Sequence, residues 1–123
     1  SFVEDYNKVL AEINEQYSTQ PDHKNKYKPL TDDQKADMTE KQIEEYETEI
    51  RNLGVTDHKA VGECINIRHQ GGYGSVTRVL GKTKGEYTLD NIYKAMSTDT
   101  GNQVGTYKTR QQKVYNWLKT YMK

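Results

Sequence analysis

Residues 66–82 read NIRHQGGYGSVTRVLGK, and the fold of the chain depends on how this stretch is built. Three glycines within four positions separate two segments whose apolar residues recur at helical spacing. Because glycine tolerates positive φ and close backbone approach, the stretch predicts a turn at residues 71–74 and then a short helix with Ser75 as its N-cap. The turn either lies at the floor of a ligand cleft or only joins two helices.

Helices are predicted on both sides of this turn. A helix that can start at Asp57 offers several residues for burial: Ala60, Val61, Cys64, Ile65 and Ile67. After the turn, Thr88 is placed to cap a helix with one apolar face: Leu89, Ile92, Tyr93 and Met96. The last helix begins near Thr106, and its face carries Tyr107, Gln111, Val114, Leu118 and Tyr121.

The first half of the chain contains two further helix patterns. The first is an apolar stripe over residues 2–17, at Phe2, Tyr6, Val9, Leu10, Ile13 and Tyr17. The second opens with a capping box of Thr39 and Gln42, in which Met38 and Ile43 occupy the staple positions. Its stripe continues at Tyr46, Ile50 and Leu53, and Gly54 fits the C′ position. The segment between the two patterns is predicted as a loop, with a short capped helix at TDDQ, residues 31–34.

These patterns predict an all-α fold, because no stretch alternates well enough to indicate a strand. Residues 1–54 are predicted to form a helical hairpin that packs against a helical subdomain of residues 55–123. The two parts form either separate subdomains or one continuous domain. With 33% hydrophobic residues and a mean hydropathy of −1.08, the core has to be small, and ten tyrosines supply much of its area.

The composition also bears on partners and cofactors. No apolar run is long enough to span a membrane, and the single cysteine, Cys64, is predicted to be a buried thiol. Three scattered histidines lack metal-ligand spacing, so neither a metal nor a cofactor is predicted. The glycine turn has no preceding strand and no Walker lysine, which argues against nucleotide binding, and no nucleic-acid-binding signature is present.

The net charge of zero conceals an asymmetry between the two halves. Residues 1–60 hold fourteen acidic and eight basic side chains, whereas residues 61–123 hold four acidic and ten basic ones. The basic half could face a polyanion, or the two halves could complement each other within the fold. The acidic run at Glu44, Glu45, Glu47 and Glu49 is interpreted as a solvated helix face.

Two regions resemble known families. FVEDYNKVLAEIN and YKPLTDDQKADMTEKQIEEYE, within residues 2–51, resemble a helix–loop–helix segment of bacterial flagellar filament cap proteins, which implies a role in structure and assembly. HQGGYGSVTRVLGK, YTLDNIYKAM and GTYKTRQQKVYNWLKTYMK, within residues 62–123, resemble in order and spacing the C-terminal lobe of lysozymes and lytic transglycosylases.

The second resemblance implies a cleft for peptidoglycan glycan strands at the glycine turn. His69, Gln70 and Tyr73 are then candidate substrate-binding residues, and Arg110 could hold a carboxylate or pair with the acidic half. Tyr107 and Trp117 could stack on sugar rings, although packing is the expected role for both. No residue matches the motif of the family's catalytic glutamate. Glu63 imitates it by preceding a glycine turn, but the sequence shows neither an apolar setting nor reach to a glycosidic oxygen.

The sequence thus predicts a peptidoglycan-directed module of lysozyme or lytic transglycosylase type, extracellular or wall-associated, from a bacterial or phage protein. Whether it is a hydrolase stays open. The alternative is a non-catalytic helical assembly segment of a flagellar cap or phage-tail protein, which contacts protein partners through the N-terminal hairpin. A cleft requires exposed polar residues around positions 69–73, and an assembly segment requires an uncovered apolar stripe on one of the first two helices.

Overall fold

A computed structural model describes residues 1–18, 38–99 and 107–123 of the chain, with the side chains of Tyr17 and Ser18 left out. These residues form five α-helices and no strand, which confirms the predicted all-α fold. A π-helical turn, Asn14–Ser18, continues the first helix. The helices are α1 Phe2–Ile13, α2 Glu40–Asn52, α3 His58–Lys82, α4 Leu89–Ser97 and α5 Lys108–Tyr121.

Side-chain caps fix where the helices begin. Thr39 Oγ1 accepts a hydrogen bond from Gln42 N at 3.1 Å, and Thr88 Oγ1 accepts one from Asn91 N at 3.2 Å, which confirms both predicted N-caps. Asp57 caps α3 in the same way through Ala60 N. The capping box at α2 is modified, because the Gln42 side-chain amide donates to the Tyr46 hydroxyl at 3.1 Å.

The central element is α3, since α2, α4 and α5 all pack against it. Every residue from position 60 to position 67 is buried, so this part of α3 is enclosed on all sides. Helix α1 lies mainly on α5, and its five predicted stripe residues in the described range are all buried. One hydrophobic core therefore includes residues from all five helices.

The glycine stretch does not form the predicted separate turn. Only Gly72 has non-helical dihedrals, with φ 84° and ψ 179°, and the helix continues directly on either side of this kink. The prediction that Ser75 is an N-cap is wrong. Ser75 is buried inside α3, its hydroxyl donates to the Gly71 carbonyl at 2.9 Å, and its oxygen accepts from Arg78 at 3.2 Å. The helix resumes too early for Ser75 to start it.

Of the other predictions about helix ends and side chains, some are confirmed and some fall on residues that the structure does not describe. Gly54 follows α2 with φ 99°, as expected for the C′ position. Cys64 is fully buried as predicted, and this burial raises the pKa of its thiol. The loop and the TDDQ helix predicted between α1 and α2, the side chain of Tyr17, and Thr106 lie outside the described residues.

An ion pair between Glu49 of α2 and Arg68 of α3, at 2.8 Å, joins the acidic and basic halves of the chain. The acidic run is therefore not a purely solvated face. Glu44 and Glu45 are exposed as predicted, whereas Glu47 and Glu49 are half-buried and paired with arginines. In each pair the arginine Nε donates a charge-assisted hydrogen bond to the carboxylate beside it, which favours the pairing. Among the described helices, none combines the length and apolar character needed to cross a bilayer.

Candidate functional site

A network of buried and half-buried polar side chains connects α3 with α5 beneath the predicted site. Asn66 lies at its centre: its amide nitrogen donates to Gln111 Oε1 at 2.9 Å and, at 3.4 Å, to Glu63 Oε1. Gln111 Nε2 donates onward to Gln70 Oε1 at 2.7 Å, and Arg110 donates to Asn66 Oδ1 at 3.1 Å. The network therefore extends from an enclosed carboxyl group to the half-buried Gln70 and Arg110.

Glu63 is the inner end of this network, and its environment favours the neutral acid. The residue is fully buried, and its Oε2 atom has no hydrogen-bond partner among the residues that the structure describes. Burial raises the pKa of the Glu63 carboxyl to about 7, although the hydrogen bond from Asn66 and the charge of Arg110 act in the opposite direction. Near neutral pH this carboxyl group therefore holds a proton for a substantial fraction of the time.

Tyr6 of α1 lies near Glu63, at the inner end of the network. Its side chain is almost fully buried, and burial together with the nearby Glu63 carboxylate raises the pKa of its phenol. Gly62 lies in the same contact between helices, with Tyr6, Leu118 and Met122 packed around it. These apolar and neutral neighbours provide the low-polarity setting that raises the pKa of the Glu63 carboxyl.

Three of the four predicted substrate-binding residues lie together. Gln70 and Arg110 belong to the network, and His69 lies close enough to Arg110 to respond to its charge. The pKa of His69 is lowered, first by partial burial and then by the positive charges of Arg110 and Arg68. His69 is therefore mainly neutral near pH 7, and its ring can offer either a hydrogen-bond donor or an acceptor.

Tyr73 lies just beyond the Gly72 kink and is 45% exposed. The contacts in the described ranges do not join it to His69, Gln70 or Arg110. Tyr107, for which packing was expected, is instead 54% exposed at the start of α5, because no described element covers this end of the helix. Trp117 is half-buried and packs against the core, as expected. Among the described residues, Tyr73 and Tyr107 are thus the large aromatic side chains that are exposed.

The sequence patterns did not identify the connecting residues, Asn66 and Gln111. Gln111 was placed on the inward face of the last helix, and it is buried there with 3% of its surface exposed. A polar residue at a core position needs hydrogen-bond partners, so its position in the stripe was the available signal. Glu63 lies among residues that were predicted for burial, and this position was an unused signal of an apolar setting.

The arrangement can hold a proton and present hydrogen-bonding groups, but it does not expose the acid. In this conformation Glu63 is enclosed, so a ligand at His69 and Gln70 does not touch its carboxyl group. Within the described ranges, no cluster of three or more histidine, cysteine or acidic side chains is placed to hold a metal ion. A depression of about 810 Å³ lies elsewhere, between Gly54, Tyr87 and Lys119, and includes none of the four predicted residues.

The comparisons with known proteins do not assign the chain to a family. No protein-family model, no curated protein and no solved structure matches it.

Proposed function

We propose that the chain is a peptidoglycan-directed module of lysozyme or lytic transglycosylase type, which binds glycan strands at the surface around His69, Gln70, Tyr73 and Arg110. The observation that carries the proposal is the network from Glu63 to Gln70, since an enclosed carboxyl group that is partly protonated near neutral pH lies at its inner end, behind a polar surface. Glycosidic bond cleavage needs a carboxylic acid that is still protonated near neutral pH.

The surface groups suit a polar, hydroxyl-rich ligand. Gln70 Oε1 is occupied by Gln111, which leaves the Gln70 amide nitrogen without an acceptor among the described residues and able to donate to a sugar hydroxyl. Arg110 belongs to the same network through Asn66, and a guanidinium is a group that pairs with carboxylates such as those of lactyl or peptide groups. The Tyr73 ring offers an exposed apolar face against which a sugar ring can pack.

Catalysis would require Glu63 to become accessible, because its carboxyl group is enclosed in the described conformation. Binding has no such requirement, since His69 and Tyr73 are already exposed. The proposal therefore separates into a binding function at the surface and a catalytic function that depends on local opening around Glu63. The two parts need separate experiments.

Binding is tested by sedimenting the chain with insoluble purified peptidoglycan. Wild-type protein should co-sediment, and Tyr73→Ala and His69→Ala should each weaken binding several-fold. Thr77→Ala serves as the matched control, because Thr77 is exposed one turn further along α3. If the wild type stays in solution, or if the control loses as much binding as the two variants, binding at this surface is rejected.

Catalysis is tested by mass spectrometry of the soluble products released from peptidoglycan. Muropeptides with reducing ends would identify a hydrolase, and anhydro ends would identify a lytic transglycosylase. Glu63→Gln should abolish either product while the chain stays folded. Absence of products from a folded sample that still co-sediments would leave a binding module.

The assembly alternative lacks a comparable supporting observation. It requires an uncovered apolar stripe on α1 or α2, but the stripe of α1 and Ile43 and Ile50 of α2 are buried within the chain. Among described large apolar side chains, Tyr73 and Tyr107 are the exposed ones, and neither belongs to those helices.

A further inference from the structure

A second concave surface lies between the end of α3 and the outer side of α4. It encloses about 370 Å³ and is lined by Lys82, Lys84, Asn91, Lys94, Ala95 and Thr98. This volume is at the lower end of the range typical of small-molecule sites. The surface shares no residue with the site proposed for glycan strands, and the inference below does not rest on that proposal.

The lining is positively charged. Three of its six residues are lysines, and none is acidic. The acidic residue beside it, Asp99, is almost fully buried and already bonded: Arg78 contacts both of its carboxylate oxygens at 2.9 Å, and Lys82 contacts Oδ1 at 2.9 Å. Asp99 is thus paired with Arg78 and Lys82, and Lys84 and Lys94 add two further positive charges to the lining of the pocket.

Lys82 is held in place, whereas Lys84 and Lys94 are available. The Asp99 contact fixes the Lys82 ammonium group at the wall of the pocket. Lys84 and Lys94 are exposed and form no ion pair with any residue in the described ranges. One ammonium group held by an ion pair and two exposed ones around a concavity can surround an anion with several oxygens.

Helix dipoles explain only part of this arrangement. Lys82 and Lys94 lie in the last turns of α3 and α4, where a cation is favoured by the partial negative charge of the helix end. Lys84 follows α3 and belongs to no helix, so the dipole does not account for it. Like charges around one concavity repel each other, and a bound anion relieves this repulsion.

We infer that the pocket formed by Lys82, Lys84 and Lys94 binds a multiply charged oxyanion of the phosphate-ester class. Lysine suits such a ligand because it acts as a compact point charge and does not demand the planar geometry that an arginine fork imposes. The residues that line the pocket provide ammonium donors and no carboxylate, and the nearby Asp99 carboxylate is already paired with Arg78 and Lys82.

Pyrophosphate is a suitable probe, titrated at constant ionic strength while amide resonances are followed by NMR. Saturable shifts should appear at residues 82–98. Lys84→Gln/Lys94→Gln should weaken the affinity about tenfold or more, since two charged contacts are lost. The control Lys8→Gln/Lys41→Gln removes the same charge from exposed positions on α1 and α2 and should bind as the wild type does.

Three results would overturn the inference. These are the absence of saturable shifts, an equal loss of affinity in the control, and the same shifts with sodium chloride at matched ionic strength. Thermal unfolding of both double variants verifies that they are folded, and exposed lysine-to-glutamine changes are expected to leave the melting temperature nearly unchanged.

Discussion

The two halves of α3 share one helix but differ in their surroundings. In the inner half, residues 58–70, eight consecutive residues are buried, including Glu63 and Asn66. In the outer half, residues 73–82, Ser75, Val76, Val79 and Leu80 are buried, while Thr77, Arg78, Gly81 and Lys82 are exposed. The inner half is therefore a central helix, and the outer half is an ordinary amphipathic surface helix.

This difference decides how each half accommodates charged groups. In the outer half, Arg78 and Lys82 reach Asp99 from positions that remain 40% and 41% exposed, so water screens the unused parts of each cation. In the inner half, Glu63 has no such access, and its carboxyl group is accommodated by protonation and by the Asn66 amide. The outer half of α3 thus exposes its cations partly to water, whereas the inner half suppresses the charge of the enclosed Glu63 carboxyl group.

The largest effect on the free energy of unfolding is expected from Glu63→Gln, which replaces the ionisable carboxyl group in the inner half of α3 by a neutral amide. The carboxyl group ionises near 4.5 in the unfolded chain and near 7 in the folded one, so between these values the folded state binds more protons. The Glu63 contribution to stability is therefore fully present below pH 4.5, falls as pH rises through 7, and is constant above. The total fall is about 3 kcal/mol.

Urea unfolding of wild type and Glu63→Gln from pH 4 to pH 8 measures this effect. The stability difference between the two should shift by about 3 kcal/mol in favour of the variant as pH rises. Glu86→Gln is the control, since Glu86 is exposed, and its curve should run parallel to that of the wild type. Parallel curves for Glu63→Gln as well would mean that the carboxyl group is not enclosed.

The next effect concerns the kink that separates the two halves. Gly72→Ala should destabilise the chain by about 2 kcal/mol, because residues other than glycine rarely adopt φ 84° with ψ 179°. Gly74→Ala is the matched control: an added Cβ meets nothing within 4 Å, and its φ is not in the positive region, so the change should be neutral or slightly stabilising. Equal effects in urea unfolding would show that the kink is absent in solution.

A second pair of glycines, Gly62 and Gly81, tests how tightly the two halves of α3 are packed. At Gly62 in the inner half, an added Cβ would lie 2.7 Å from Leu118 Cδ2, and that leucine is itself fully buried. Gly62→Ala should therefore cost about 1 kcal/mol after the gain in helix propensity is subtracted. Gly81→Ala in the outer half has open space and should stabilise by about 0.5–1 kcal/mol. Urea unfolding of both variants checks the opposite signs, and the same sign for both would contradict the packing.

The sequence predicted the features that depend on local spacing and missed those that depend on tertiary packing. Periodicity identified the helices and the caps at Thr39 and Thr88, because these depend on local spacing. The sequence predicted a turn where α3 has only a kink at Gly72, because three glycines leave open which one takes positive φ. The link between Asn66 and Gln111 joins residues 45 positions apart, so only the packing of α5 on α3 creates it.

The smallest effect is expected at the ion pair between α2 and the inner half of α3, and it shows how much charge contributes to that contact. Glu49 and Arg68 are 31% and 26% exposed and lie 2.8 Å apart, while Arg68 also stacks over the Tyr46 ring at 4.6 Å. A double-mutant cycle with Glu49→Gln and Arg68→Gln cancels the stacking contribution and isolates the ion pair. Its coupling energy should be about 0.5 kcal/mol and decrease in 1 M salt, as is typical of partly exposed pairs. A coupling of several kcal/mol would instead mean that the acidic and basic halves of the chain are held together by charge, and the apolar contacts of Ile43 and Ile50 would then be secondary.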